Sequence, residues 1–270
     1  MTSGVSDTVQ YTIAICKGSA LLEETKALLR AWNPLESLKA FGDRVLREDL
    51  LGRMTAYRAR DIVNRVFAKR YLRPNSNPAI MLKRLLERNQ SGQLFSDLCF
   101  LYAARADDLI RDAVTQLYWP ALSSGRLSLS PEYVVEFLRQ AEREGRISEP
   151  WSEQVKLKVA RGILKAMADF GLLVEVGRGK RELVHFRPSD LTLVFLAYDL
   201  HFSGSTDAGV AGHRDWAIFG LTSKDVAVAL DRLSSERWWL AQVAGSLVRI
   251  SWKYSNMEEV VDAFDRRDVQ

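Results

Sequence analysis

The stretch SEQVKLKVARGILKAMADFGLLVEVGRGKRELVHFRP, residues 152–188, joins a long amphipathic helix pattern to a short hairpin pattern. Ser152 stands where a helix N-cap is expected, and the helical pattern continues to about Phe170. On a helical wheel one face is apolar: Val159, Ala160, Ile163, Leu164, Met167 and Phe170. The opposite face holds Gln154, Lys158, Arg161 and Lys165. The pattern therefore predicts a helix that buries one face and exposes cations on the other.

A β-hairpin is predicted directly after this helix, because two short apolar runs flank a Gly-rich turn at residues 177–181. Hairpin turns commonly contain Asn-Gly or Asp-Gly, whereas this turn brings three cations: Arg178, Lys180 and Arg181. A cationic helix followed by a cationic hairpin is the layout of a winged helix, in which the helix enters the major groove of DNA and the hairpin contacts phosphates. The alternative is a solvated helix face with a basic turn that binds nothing.

A second basic segment, residues 44–73, has the outline of a helix-turn-helix with a break at Gly52 and an N-cap at Thr55. The apolar face of its second helix would hold Ala59, Ile62, Val63, Val66 and Phe67. From residue 53 to residue 73 there are seven Lys and Arg residues against one acid, Asp61. The candidate DNA-binding residues are Arg53, Arg58, Arg65, Lys69 and Arg73. Such clustering is expected of a nucleic-acid-binding surface, and the alternative is docking on an acidic partner protein.

Helical patterns dominate the rest of the chain. We expect Asn33-Pro34 to start a helix, residues 92–119 to form one helix, and residues 203–212 to form a Gly-rich loop. A second helix and hairpin, over residues 222–254, carry Trp238, Trp239 and Trp252, which we interpret as core or as a partner interface.

The predicted fold class is therefore mainly α, a helical bundle with helix-turn-helix or winged-helix-like parts and two small β-hairpins. The predicted domains are 1–76 (helix-turn-helix-like), 77–150 (a middle helical segment packed with it) and 151–270 (winged-helix-like).

The composition is that of a globular protein: 270 residues, 47% hydrophobic and 27% charged, with a net charge of +4. Cys16 and Cys99 lie too far apart in sequence to suggest a disulfide framework or a zinc site. We find no signal peptide, and the most apolar run, residues 191–202, is too short to span a bilayer and contains Asp199. These features predict a cytoplasmic protein with no membrane contact.

Signals for an enzyme are weak. His185, His201 and His213 have no metal-ligand spacing, and the HRD at 213–215 lacks the other kinase motifs. The GRGK at 177–180 lacks the first glycine of a Walker loop. We therefore expect a protein that is not an enzyme and that has no cofactor and no metal.

Three stretches resemble the BrxA family of bacterial BREX phage-defence systems in their order and spacing. They are YTIAICKGSALLEETKALL, VLREDLLGRMTAYRARDIVNRVFAKRYL and LCFLYAARADDLI. The resemblance implies a mostly α fold with helix-turn-helix-like parts. It also implies a non-enzymatic component that binds double-stranded DNA and is encoded with a methyltransferase, a phosphatase-like protein and ATPases. It supplies no catalytic residues.

The sequence thus predicts an accessory protein that binds duplex DNA mainly through phosphate contacts from basic helices and a basic wing. Other BREX proteins are candidate partners, and we expect a monomer or a weak oligomer. The alternative is a protein–protein adaptor that uses the basic helix and the Trp-rich hairpin as interfaces.

Overall fold

The structure is a computed structural model that describes residues 10–52, 54–73, 78–90, 92–177, 180–235, 237–244 and 247–264. Over these residues the chain is mainly α-helical, which confirms the predicted fold class. The named strands within them form two separate antiparallel hairpins.

The helices are α1 (Leu22–Ala31), α2 (Leu38–Arg47), α3 (Ala56–Asp61), α4 (Pro78–Glu87), α5 (Gln93–Ala106), α6 (Asp108–Asp112), α7 (Trp119–Ser123), α8 (Pro131–Arg143), α9 (Glu153–Asp169), α10 (Asp190–Phe202), α11 (Asp207–Ala211), α12 (Ser223–Arg232) and α13 (Met257–Ala263). Wider π-helical turns follow α3 over Ile62–Leu72 and join α6 to α7 over Ala113–Tyr118, and 3₁₀ turns form at Ile13–Lys17 and Arg214–Phe219. The strands are β1 (Leu173–Glu175), β2 (Arg181–Leu183), β3 (Trp239–Ala244) and β4 (Leu247–Trp252).

The described residues divide into two compact units. Unit 1 holds 10–21 and 103–186, and unit 2 holds 22–102 and 187–264. These units do not follow the predicted ranges 1–76, 77–150 and 151–270, because α8 and α9 pack on each other across residue 150.

Helix α2 begins later than predicted, because a different side chain caps it. The Ser37 hydroxyl accepts a hydrogen bond from the Ala40 N–H at 3.2 Å, so Ser37 is the N-cap. Asn33 instead closes a local turn, in which its Oδ1 accepts from the Leu35 N–H at 3.0 Å.

Residues 92–119 are not one helix. Asp107 interrupts the pattern, since its side chain accepts a hydrogen bond from the Leu109 N–H at 3.1 Å and starts α6. Pro120 does not lie beyond a helix end, because the helical run continues from the π-helical turns at Ala113–Tyr118 directly into α7. The predicted loop over 203–212 also contains a helix, α11, which is capped by Thr206.

In unit 1, α8 and α9 pack on each other through apolar sides. They bury Val134 and Leu138 on α8 and Ile163 and Met167 on α9. The ammonium of Lys156, only 6% exposed, pairs with the Glu142 carboxylate at 2.6 Å and ties the start of α9 to the end of α8. The orientation of α9 is therefore fixed by both packing and charge.

The hairpin after α9 is extended by a third short segment. In the hairpin Val174 pairs with Glu182. On the other side of β2, the Leu183 N–H donates to the Leu127 carbonyl at 2.9 Å, and Ser128 pairs with Glu182. The element order of unit 1 is therefore helix, strand segment, helix, helix and hairpin.

Residues 10–21 pass alongside α9. The Tyr11 N–H donates to the Arg146 carbonyl at 2.7 Å, and the Tyr11 hydroxyl donates to Asp112 Oδ2 at 2.6 Å. Further along, Ile15 packs against Gly162 in the middle of α9: a Cβ added to Gly162 would lie 3.6 Å from Ile15. That distance is an ordinary van der Waals contact, so an alanine fits there without displacing Ile15.

We expect Gly162→Ala to raise the free energy of unfolding by up to about 1 kcal/mol, because glycine costs roughly that much relative to alanine inside a helix. Gly162→Leu should instead lower it by about 1–3 kcal/mol, since its side chain requires the space that Ile15 occupies. Urea denaturation followed by circular dichroism measures both changes. A clear loss of stability in the alanine variant would show that Ile15 lies closer to α9 than described.

In unit 2 the second hairpin lies over an aromatic core. Trp238 and Trp239 are buried, and the Trp239 Nε1–H donates to the Leu230 carbonyl of α12 at 2.9 Å. Trp252, paired with Trp239 in the ladder, is half-buried, and its Nε1–H donates to Asp207 Oδ1 at 3.1 Å. Two of the three hairpin tryptophans are therefore part of the core and present no ring to a partner.

Candidate nucleic-acid interface

The exposed side of α9 is the basic face that the helical wheel predicts. Gln154, Lys158, Arg161 and Lys165 are all exposed, whereas the predicted apolar face is buried from Val159 to Phe170. Lys158, Arg161 and Lys165 are called the α9 surface below. Because α9 is fixed by its packing on α8, these cations project from a rigid element.

The three cations of the α9 surface differ in their surroundings. Lys165 pairs with Asp169 at 2.9 Å, one turn later on the same helix. Among the described residues, Lys158 and Arg161 form no ion pair. An unpaired cation can contact a phosphate without first breaking an ion pair, so Lys158 and Arg161 are the stronger candidates.

The hairpin contributes two described cations. Lys180 is exposed and pairs with Glu182 at 2.9 Å, and Arg181 is half-buried. The Nε of Arg181 is buried without a hydrogen-bond partner in the described part of the chain. Arg178, the third predicted cation of this turn, lies outside the described residues. Gly177 has a φ of +61°, which is the left-handed conformation that favours glycine in a turn.

The second basic surface lies in unit 2, on α3 and the π-helical turns after it. Thr55 caps α3 as predicted, and the predicted apolar face is buried. Lys69 and Arg73 are exposed and Arg58 is half-buried, whereas Arg65, also exposed, pairs with Asp61 at 3.0 Å. The name second surface refers below to Arg58, Arg65, Lys69 and Arg73. Arg53 lies outside the described residues.

Arg70 was counted in the predicted charge cluster, and the structure corrects this. Its side chain is only 5% exposed. The helical spacing explains why, since position 70 lies four residues after Val66 and eight after Ile62 and therefore falls on the apolar face of the helical wheel. Apart from Ala68, the buried side chains of this segment recur every four residues: Ile62, Val63, Val66, Phe67, Arg70 and Tyr71. Position 70 thus turns inward, and the charge exposed by this segment is smaller than the sequence count.

Residues 127–128 form a short strand segment that the sequence patterns above did not predict. They pair with β2 beside Arg181. The sequence alternates in polarity over Leu127, Ser128, Leu129 and Ser130, but so short a run does not identify a strand by itself. Leu129 is buried and Leu127 is 78% exposed, although residues two apart share a face in a regular strand, so the strand geometry is confined to the bridge at Ser128.

Two histidines have structural roles. His213 caps the following 3₁₀ turn, since its Nδ1 accepts from the Asp215 N–H at 3.2 Å. The His201 ring stacks on Trp252 with centroids 4.3 Å apart. Within the described residues no group of three or more His, Cys, Asp or Glu side chains is placed to hold a metal ion.

None of the described helices is both long enough and apolar enough to cross a membrane.

Comparison with known proteins places the chain in a family. A family model described as BrxA matches residues 9–197, which is well over half of the chain and includes both basic surfaces. No curated protein matches. Among solved structures, the crystal structure of an uncharacterized protein from Magnetospirillum magneticum is similar, with a TM-score of 0.58 and 15% sequence identity. The match covers 72% of this chain and 95% of that one. At 15% sequence identity, the similarity shows a shared fold and nothing further.

Proposed function

Because the chain belongs to the BrxA family of BREX phage-defence proteins, we propose that it is an accessory component that binds duplex DNA and catalyses no reaction. The observation that carries this proposal is the α9 surface: a rigid helix face with three exposed cations, followed by a hairpin with exposed Lys180 and half-buried Arg181. Such a face suits a polyanion.

The element order of unit 1 supports a winged helix. Its elements follow one another in the order helix, strand, helix, helix and two-stranded wing. They are the turns that lead into α7, the 127–128 strand segment, α8, α9 and the β1–β2 hairpin. In this arrangement α9 is the recognition helix and enters the major groove. The winged helix that we propose therefore starts near residue 113, upstream of the predicted boundary at 151, and ends near residue 186.

The chemistry of the exposed groups favours phosphate contacts over base readout. The α9 surface offers Lys and Arg, with Gln154 as the amide on the same face that is suited to adenine. If about five to seven phosphates are neutralised, the logarithm of the binding constant should fall with the logarithm of salt concentration at a slope near −5 to −6. Affinity should then vary little between unrelated duplexes.

The second surface has an auxiliary role in this proposal. Asp61 already neutralises Arg65, and Arg70 is buried, so Lys69 and Arg73 are its main exposed unpaired cations within the described residues. The adaptor alternative loses support at the hairpin, because Trp238 and Trp239 are buried. It remains relevant for the second surface, which would suit an acidic partner protein equally well.

We expect the triple variant Lys158→Ala, Arg161→Ala, Lys165→Ala to bind duplex DNA at least tenfold more weakly than the wild type, which is about 1.4 kcal/mol. Its salt slope should be shallower by roughly two to three, because each lost phosphate contact removes about one counterion. Its stability should change by less than about 0.5 kcal/mol per substitution, since all three side chains are exposed. Fluorescence anisotropy at several salt concentrations measures affinity and slope together.

The matched control is the triple Arg214→Ala, Lys224→Ala, Arg232→Ala, which removes the same charge from exposed positions outside both surfaces. It should lower the affinity less than the α9 triple does. Wild-type binding by the α9 triple would contradict the winged-helix proposal. If only Arg58→Ala, Arg65→Ala, Lys69→Ala weakens binding, the second surface is the DNA site, and α9 is left for a partner protein.

A further inference from the structure

Arg126 is an exposed cation held in a defined place. Its guanidinium carbon lies 4.1 Å from the centroid of the Tyr133 ring, close enough for a cation–π contact. Within the described residues its guanidinium forms no ion pair and no hydrogen bond. A stacked guanidinium uses its flat face, so its N–H donors at the edge remain available to an anion.

Arg126 also lies next to the elements that carry the proposed interface. It immediately precedes the 127–128 segment, whose Ser128 pairs with Glu182, one residue from Arg181. Tyr133, the residue beneath its guanidinium, lies in the first turn of α8, where its N–H donates to the Ser130 hydroxyl at 3.3 Å. The strand segment and α8 thus connect Arg126 directly to the wing and to the helix on which α9 packs.

The start of α8 is within electrostatic reach of the α9 surface. The pKa of Glu132 is lowered by hydrogen bonds from its own backbone N–H and from Ser130, and further by the charge of Arg161. Two acidic residues of these elements are already engaged: Glu132 by hydrogen bonds at the N-terminus of α8, and Glu182 by Lys180 at 2.9 Å. Neither forms an ion pair with Arg126.

We propose that Arg126 is a phosphate-binding residue of the DNA interface and that the Tyr133 ring is the positioning residue that holds its guanidinium in place. The proposal rests on the DNA binding proposed above and extends the interface to a residue upstream of α8. Stacking limits the rotamers of Arg126 before DNA binds, so less side-chain entropy is lost on binding. The planar edge that remains exposed matches the geometry of two phosphate oxygens.

The test compares full-length variants in duplex binding by fluorescence anisotropy across a salt series. Arg126→Ala should weaken binding about three- to tenfold and make the salt slope shallower by about one, as loss of one phosphate contact does. Arg143→Ala is the matched control, because it removes an exposed arginine of the same unit that is already paired with Glu136 at 2.9 Å. It should bind as the wild type does.

Two substitutions at Tyr133 isolate the positioning role. Tyr133→Phe keeps the ring and should bind as the wild type does, whereas Tyr133→Ala should weaken binding about two- to threefold with the salt slope unchanged, because the charge of Arg126 remains. Equal weakening by both substitutions would overturn the role of the ring. Wild-type binding by Arg126→Ala, together with weak binding by the α9 triple, would overturn this inference alone. Wild-type binding by both would overturn the proposed winged-helix interface itself.

Discussion

Ile163→Ala should lower the free energy of unfolding by about 2–5 kcal/mol, the range for removing a buried branched side chain and leaving a cavity. Ile163 is 2% exposed and lies on the inner face of α9, between the α8 contact and the start of the hairpin. Interiors of this kind are close-packed, so neighbouring side chains recover little of the lost contact. The loss should be measured by urea denaturation at neutral pH.

Leu127→Ala is the matched control for this substitution. It also removes a branched aliphatic side chain from unit 1, but Leu127 is 78% exposed, so its loss should cost less than about 0.5 kcal/mol. DNA binding distinguishes a defect of the core from a defect of the interface. Under conditions in which the Ile163→Ala variant is folded, its cations are intact, so the salt slope of its DNA binding should equal that of the wild type. A stability loss below about 1 kcal/mol would mean that α9 is not packed as described.

Helix α9 and the hairpin after it could be predicted because both signals are local. The apolar positions of α9 repeat with the α-helical period, and Ser152 caps the helix where the pattern begins. The hairpin follows within a few residues, with Gly177 at the position that needs a positive φ. Nothing distant in the sequence is required for either prediction.

The strand segment at 127–128 was missed because its partner is distant. Ser128 pairs with Glu182, and two residues of alternating pattern are too few to identify a strand without knowledge of that partner. Arg70 was misplaced for a different reason. It was counted by charge alone, although its spacing of four residues from Val66 and eight from Ile62 puts it on the apolar face of the helical wheel.

The sequence alone indicates which of the basic residues have an acidic partner on the same helix. Arg65 and Lys165 each have an aspartate four residues away, Asp61 and Asp169, and both pairs form ion pairs in the structure. A count of cations treats these residues as equal to Lys158 and Arg161, which have no such neighbour on their helix. The spacing of opposite charges therefore identifies which cations are already paired, and the net charge does not.

Asp97 is the buried carboxylate with the clearest expected effect of pH. It lies on α5, is 2% exposed, and its Oδ2 accepts hydrogen bonds from the Ser189 N–H at 3.1 Å and the Thr192 hydroxyl at 2.7 Å, where α10 begins. Burial raises its pKa from 3.8 to about 6, and the two hydrogen bonds offset only part of that rise. The folded protein therefore holds this proton more tightly than the unfolded chain between about pH 4 and pH 6.

The consequence is a stability contribution that is present below about pH 4 and is lost as the pH rises through 6. The side-chain amide in the variant Asp97→Asn mimics the protonated acid and does not titrate, so the other carboxylates cancel in the comparison. We expect the free energy of unfolding of the wild type, relative to Asp97→Asn, to fall by about 3 kcal/mol between pH 4 and pH 7, since each pKa unit corresponds to about 1.4 kcal/mol. Urea denaturation of both proteins at unit pH intervals measures this difference. A difference that stays constant, or that rises with pH, would show that Asp97 is ionised in the folded protein throughout and that its hydrogen bonds to the start of α10 outweigh its burial.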